Sequence, residues 1–176
     1  DLLPGNVNMI HGPGCPVCVL PVGRIDNAIE LAAGRALTLC TYADTLRVPA
    51  SNHLSLMKAK ARGADIRMVY SVADALRLAQ ENPARDTVFF AIGFEATAPS
   101  TALAIRAAER LQLANFSVFC NHVLTPPAMC EILCSAQARG AGMVAIDGIV
   151  GPGHVSCVIG SRAYEQVAEK QRCPVV

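Results

Sequence analysis

The most reactive-looking part of this sequence is Cys15-Pro-Val-Cys18, reached through His11-Gly-Pro-Gly14. Two residues between cysteines let both sulfurs reach disulfide distance or share one metal ion. Pro16 fixes a backbone angle, and Gly12, Pro13 and Gly14 stiffen the approach, so the thiols are held with little further ordering cost. Backbone N–H groups of a glycine-rich loop can also stabilise a thiolate. Three readings stand open: a redox dithiol, a pair of metal ligands, or an inert turn. No second C-x-x-C pair exists to complete a structural zinc ribbon.

Other chemistry-bearing residues are more scattered. Glu95, between Phe94 and Ala96, has no packing purpose and reads as an acid/base group or as a residue holding a neighbouring loop. His122, after Asn121, and His154, between small-residue loops, could bind a ligand, move a proton or hold a metal. Each is equally readable as a satisfied structural histidine, and His53 reads as a helix-entry residue. Cys130 and Cys134, one helical turn apart, flank the stripe Met129, Ile132, Leu133 and Ala136, which favours packing over chelation. Cys40 and Cys120 sit at strand ends and read as core, while Cys157 and Cys173 show no pattern.

These residues need elements to position them. A short apolar run, a Gly- or Pro-bearing loop and an amphipathic helix recur along the chain. Strands are expected at Val7–His11, Ala36–Cys40, Ile66–Tyr70, Val88–Ile92, Phe116–Cys120 and Met143–Ile146. Helices are expected near Arg24–Ala33, Leu54–Arg62, Ala73–Glu81, Ser100–Leu113, Pro126–Arg139 and Arg162–Lys170. Gly34, Gly63 and Gly140 are placed as helix C-caps. Such alternation predicts an α/β fold with mostly parallel sheets and flanking helices. Asn82–Asp86 reads as a hinge between two Rossmann-like lobes, residues 1–85 and 86–176. One continuous doubly wound sheet is the alternative. Either way, Cys15 and Cys18, Thr41–Asp44, Glu95, His122 and His154 fall in loops at strand carboxyl ends, the edge where open α/β sheets bind ligands.

Bulk properties exclude several classes. The 176 residues are 52% hydrophobic and 16% charged, with a formal net charge of +1 and no basic run. Nucleic acid and acidic membrane surfaces are therefore poor partners. No stretch approaches the roughly 18 apolar residues of a membrane span, and no secretory signal is visible. Eight cysteines in so apolar a chain suit reduced thiols in the cytoplasm better than a secreted disulfide scaffold. No G-x-G-x-x-G, Walker A or G-x-S-x-G pattern occurs. A start at Asp1 without Met and an end at Val175-Val176 read as a piece of a longer protein.

Six ordered blocks together resemble the HypD family of [NiFe]-hydrogenase maturation factors: HGPGCPVCVLP from His11, TYADTLRVP from Thr41, GADIRMVYS from Gly63, FFAIGFEATAP from Phe89, NHVLTPPAM from Asn121 and GPGHVSCVIG from Gly151. The resemblance covers essentially the whole chain. It implies a scaffold that works with a HypC-type chaperone, on which iron gains its cyanide and carbon monoxide ligands. Cyanide would come from a HypE-type partner whose thiocyanate is made with a HypF-type enzyme. The Fe(CN)2CO unit would then pass to the hydrogenase large subunit. It also implies that Cys15 and Cys18 handle iron or thiol redox chemistry; beside them, the loop residues His154, His122 and Glu95 are expected, on their own chemistry, to orient partners or move protons. A further cysteine segment upstream of Asp1 and a [4Fe–4S] tail beyond Val176 are expected in the family. Rival readings are a stand-alone thiol–disulfide oxidoreductase and a small-molecule-binding α/β module with a structural C-x-x-C.

Overall fold

Apolar residues spaced three and four apart fold into helices because that spacing lines one helical face, and this chain buries those faces on both sides of a sheet. The computed structural model describes residues 3–12, 14–138 and 145–176. The first helix, α1 (Val22–Gly34), buries Ile25, Ala28, Ile29 and Ala32, the stripe expected of it. It is followed by β1 (Leu37–Thr41), α2 (Leu56–Ala61), β2 (Ile66–Met68), α3 (Val72–Glu81), β3 (Asp86–Gly93), α4 (Ala98–Arg110) and β4 (Phe116–His122). Then come α5 (Thr125–Ala138), α6 (Gly153–Ile159) and α7 (Arg162–Gln171).

Local signals set the helix starts. Ser55 accepts from Lys58 N at the head of α2. Ser71 and Asp74 form a reciprocal capping box at the head of α3, which satisfies two otherwise orphaned N–H groups. Gly63, just past α2, has φ +103°, a conformation that favours glycine at a helix end. Gly34 is instead the last residue of α1, and an extended Arg35 follows it.

The four strands among the described residues form one parallel sheet in the order β2-β1-β3-β4. From Thr87 onward β3 is buried at every position, as a central parallel strand covered on both faces should be. Phe90, with Leu39 and Ile92, faces the helices α1 and α2. Phe89, with Cys40 and Ala91, faces α3 and α4. Each fully buried phenylalanine contributes about 1.5–3 kcal/mol of apolar burial, so β3 anchors both layers. Asn82–Asp86, the expected hinge, is the connection from α3 to β3 inside this sheet, whose strands come from both sides of it. A third apolar cluster joins Met129 and Leu133 of α5 to Tyr164 and Val167 of α7 and to Cys173. Beside it, Ile149 and Val175 make an isolated parallel bridge.

Two element placements need correction. Residues 7–11 are not a strand: they run unassigned and exposed, with Val7 N donating to Pro4 O. A short apolar run makes a strand only where a neighbour takes its backbone hydrogen bonds, and among the described residues none does. His154 is not in a loop but is the second residue of α6. Gly151-Pro152-Gly153 hides that helix start, since the triplet reads as a turn. The expected strand over Met143–Ile146, the Gly140 cap and the Ala136 side chain lie wholly or partly outside the described residues.

Candidate functional site

Strand order decides where a crevice can open. The chain steps from β1 outward to β2, then returns across β1 to β3 and continues outward to β4. Helices after β1 and β3 therefore leave on opposite faces, and the gap opens over the carboxyl ends of those two strands. Tyr42 follows β1 there, and Phe94-Glu95 follows β3.

The Cys15–Cys18 loop reaches the same edge from a different direction than expected. It does not follow a strand; it precedes α1, whose amino end lies beside the carboxyl end of β4. Val17 and Leu20 pack against the core cluster beneath α1. That seats the loop while leaving Cys15 half-buried and Cys18 exposed. The two sulfurs are joined as a disulfide with Cα atoms 5.2 Å apart, inside the usual range for such a bridge. Cys18 N also donates to Cys15 O at 3.1 Å and lies 3.1 Å from Cys15 Sγ, so the loop is a tight turn carrying both sulfurs.

Arg24, in the first turn of α1, makes the link between that helix and β4. Its Nε donates to Asn121 Oδ1 at 2.6 Å and its Nη2 to Cys120 O at 2.9 Å. Its guanidinium carbon sits 4.3 Å from the centroid of the Phe119 ring. Asn121 is buried and spends its own amide on Phe119 O. Sequence reasoning missed Arg24. One signal was present: a cation in the first turn of a helix opposes the helix dipole, which implies a compensating tertiary contact.

The turn after β3 carries the remaining candidates. Gly93 has φ +150°, and a Cβ there would lie 1.9 Å from Thr97 Oγ1. Only glycine lets the 3-10 turn Glu95–Thr97 fold back this closely. Glu95 is 7% exposed. Its two oxygens accept from Thr125 N at 2.5 Å and Thr125 Oγ1 at 2.8 Å. A carboxylate at the first residue of α5 also complements that helix's dipole. Glu95 thus ties its own turn to the amino end of α5. His122 is similarly satisfied: Nε2 lies 3.1 Å from Thr101 Oγ1, and Nδ1 lies 3.3 Å from Gly93 O and 3.4 Å from Thr97 Oγ1. A carbonyl can only accept, so the contact with Gly93 O needs a proton on Nδ1. His154 is exposed on α6, a helix that packs against the Glu95–Thr97 turn. The carboxyl edge therefore gathers all five candidate residues, two as the sulfur pair, two as braces and one on an adjoining helix.

The other cysteines divide by burial. Cys40 is fully buried; burial, then the charge of Asp65, pushes its thiol up to about 12, which makes it inert. Burial, with Asp147 adding to it, also raises Cys173. Cys120, Cys134 and Cys157 are exposed and Cys130 is intermediate, so Cys120 is not core as expected. Among the described residues no three His, Cys, Asp or Glu side chains converge to hold a metal. The cysteines among the described residues therefore do not fit a [4Fe–4S] cluster, which needs four.

The comparisons with known proteins agree with the motifs. The HypD family model, described as "Hydrogenase formation hypA family", matches residues 1–176. The chain is 64% identical over 176 residues to "Hydrogenase maturation factor HypD2" of Bradyrhizobium diazoefficiens. It is also 64% identical to "Hydrogenase maturation factor HypD" of Rhizobium leguminosarum bv. viciae and 62% identical to that of Azotobacter vinelandii. In each case all of this chain aligns with 46% of the relative, so it spans about half the length of the curated relatives it matches. The chain belongs to the HypD hydrogenase-formation family.

Proposed function

We propose that this chain contributes the dithiol of a hydrogenase-maturation scaffold, and that Cys15 and Cys18 are its working atoms. The observation that carries the reading is the sulfur pair itself: paired, near the surface, and held at the carboxyl edge of a parallel sheet. The family membership supports a role in hydrogenase maturation. The cargo would be iron receiving cyanide and carbon monoxide. Reduced, the pair offers two thiolates, soft ligands suited to such iron. It can also act as reductant. Cleaving a partner's thiocyanate at its carbon–sulfur bond takes two electrons and two protons, yielding a thiol and hydrogen cyanide. Oxidation of Cys15 and Cys18 from dithiol to disulfide releases the same two electrons and two protons.

Partners would meet this edge. Val19 and Val22 at the loop, Tyr70 past β2 and Leu124 past β4 are exposed apolar side chains beside the strand ends, of the kind that protein interfaces cover. A HypC-type chaperone and a HypE-type cyanide donor are the proposed occupants, with the hydrogenase large subunit as the eventual recipient. Among the described residues no helix is long and apolar enough to cross a membrane, and we place the work in the cytoplasm.

The test is Cys15→Ser and Cys18→Ser in the full-length protein, scored by hydrogenase activity in cells lacking the parent. Each variant should abolish maturation while thermal unfolding stays within a few degrees of the parent. Full activity in either variant would defeat the proposal. A stand-alone thiol–disulfide oxidoreductase is the second reading, favoured by the same disulfide. It predicts turnover of protein disulfides by this chain without iron or any maturation partner.

A further inference from the structure

We infer that Arg24 is the positioning residue of the Cys15–Cys18 loop: it locks the first turn of α1 onto the end of β4 and so sets how readily the sulfur pair closes. The inference deepens the dithiol reading and takes its biological meaning from it.

The argument starts from what α1 lacks. Its N-cap is Pro21, with no side-chain cap, and its first turn carries no acidic residue. A helix entry without local capping is held by tertiary contacts instead. On one side, Val17 and Leu20 sit on the core. On the other, the flat guanidinium of Arg24 points two adjacent N–H groups at acceptors on consecutive residues, Asn121 Oδ1 and Cys120 O, while stacking on Phe119. Asn121 cannot swing away, because it is buried and bonded to Phe119 O. A lysine has one compact charge and no fork, so it cannot reproduce this grip. Five residues separate Cys18 from Arg24, and movement at the helix entry passes directly into the loop. Among the described residues no carboxylate lies at ion-pair distance from Arg24, so its contacts serve the clamp.

Closure of the dithiol by oxidised glutathione forms one Cys15–Cys18 bond and two reduced glutathione molecules. Its equilibrium constant grows with the effective concentration of one thiol near the other. Releasing the clamp lets the loop sample open forms. That should lower the constant about tenfold, equivalent to a potential less negative by about 30 mV for two electrons.

The experiment uses full-length protein in glutathione redox buffers, comparing the parent with Arg24→Met, Arg24→Lys, Asn121→Ala and the Arg24→Met/Asn121→Ala pair. Amide exchange is followed in the same samples. We expect the tenfold shift in both Arg24 variants, a shift of the same sign for Asn121→Ala, and no further shift in the pair. Amides of residues 17–25 should exchange faster in Arg24→Met, with those of α3 unchanged. Constants within twofold of the parent, or full rescue by lysine, would overturn the inference while leaving the dithiol reading intact. Should the parent pair fail to exchange with glutathione at all, the dithiol reading falls. The clamp is then judged by amide exchange alone, and unchanged exchange at residues 17–25, or equal acceleration in α3, would sink it.

Discussion

Replacing Gly93 by alanine should damage this protein severely for a change of one methyl group. The new Cβ would lie 1.9 Å from Thr97 Oγ1 and 3.0 Å from Thr97 Cβ, at a backbone φ of +150°. Three costs combine. Relieving the overlap by moving Thr97 resembles overpacking, at about 1–3 kcal/mol. Thr97 Oγ1 would leave Phe94 O, its acceptor at 2.9 Å, forfeiting about 1 kcal/mol. The backbone angle itself adds strain on the order of 1–3 kcal/mol. These overlap rather than sum, and a net loss of about 3 kcal/mol is expected. For a chain of this size that lowers the Tm by roughly 6–12 °C. Urea unfolding followed by circular dichroism measures it. Adding Thr97→Ala should recover about half, because the hydroxyl clash goes while the φ strain stays. A Gly93→Ala protein within about 0.5 kcal/mol of the parent would refute the claim that this turn folds only with glycine.

Three further outcomes follow from the geometry. Glu95→Gln should cost about 1–3 kcal/mol, and a double-mutant cycle with Thr125→Val should show that most of it is shared coupling; independent, additive effects would mean the two side chains do not act together. Asp65 has a lowered pKa: burial pushes it up, but hydrogen bonds from Arg67 and Thr38 and the charges of Arg67 and Arg85 outweigh that. Its contribution is therefore present above its unfolded value of about 4 and lost as pH falls through the lower folded value. Asp65→Asn should cost about 1 kcal/mol at pH 7 and flatten acid unfolding, whereas an unchanged acid limb would contradict the pairing. For Cys40, raised to about 12, the stabilisation of the neutral thiol is full below pH 9 and declines between there and pH 12. Native protein at pH 8 should label at Cys120, Cys134 and Cys157 and spare Cys40; early labelling of Cys40 would show that β1 is not packed as described.

The sheet was readable because β3 and its neighbours are apolar on both faces and each helix carries its stripe at the right spacing. Residues 7–11 misled because a short apolar run after a turn says nothing about a hydrogen-bonding neighbour. Helix α6 was hidden because Gly151-Pro152-Gly153 has turn chemistry while also opening a helix. At the site, Cys15 and Cys18 announced themselves by spacing. Glu95 was recognised as a misplaced carboxylate, but its partner Thr125 lies 30 residues away. Arg24 and Asn121 are 97 residues apart, and nothing local to either one names the other. Contacts of that range depend on strand order, which follows from packing and not from any short motif.

The most direct measurement is an anaerobic redox titration of full-length protein with iron determined in the same samples. A reversible two-electron step that disappears in Cys15→Ser, with iron retained only when the pair is reduced, is what a working sulfur pair at the sheet's edge must give. Thiols that neither cycle nor influence iron would leave the turn inert and contradict the assignment.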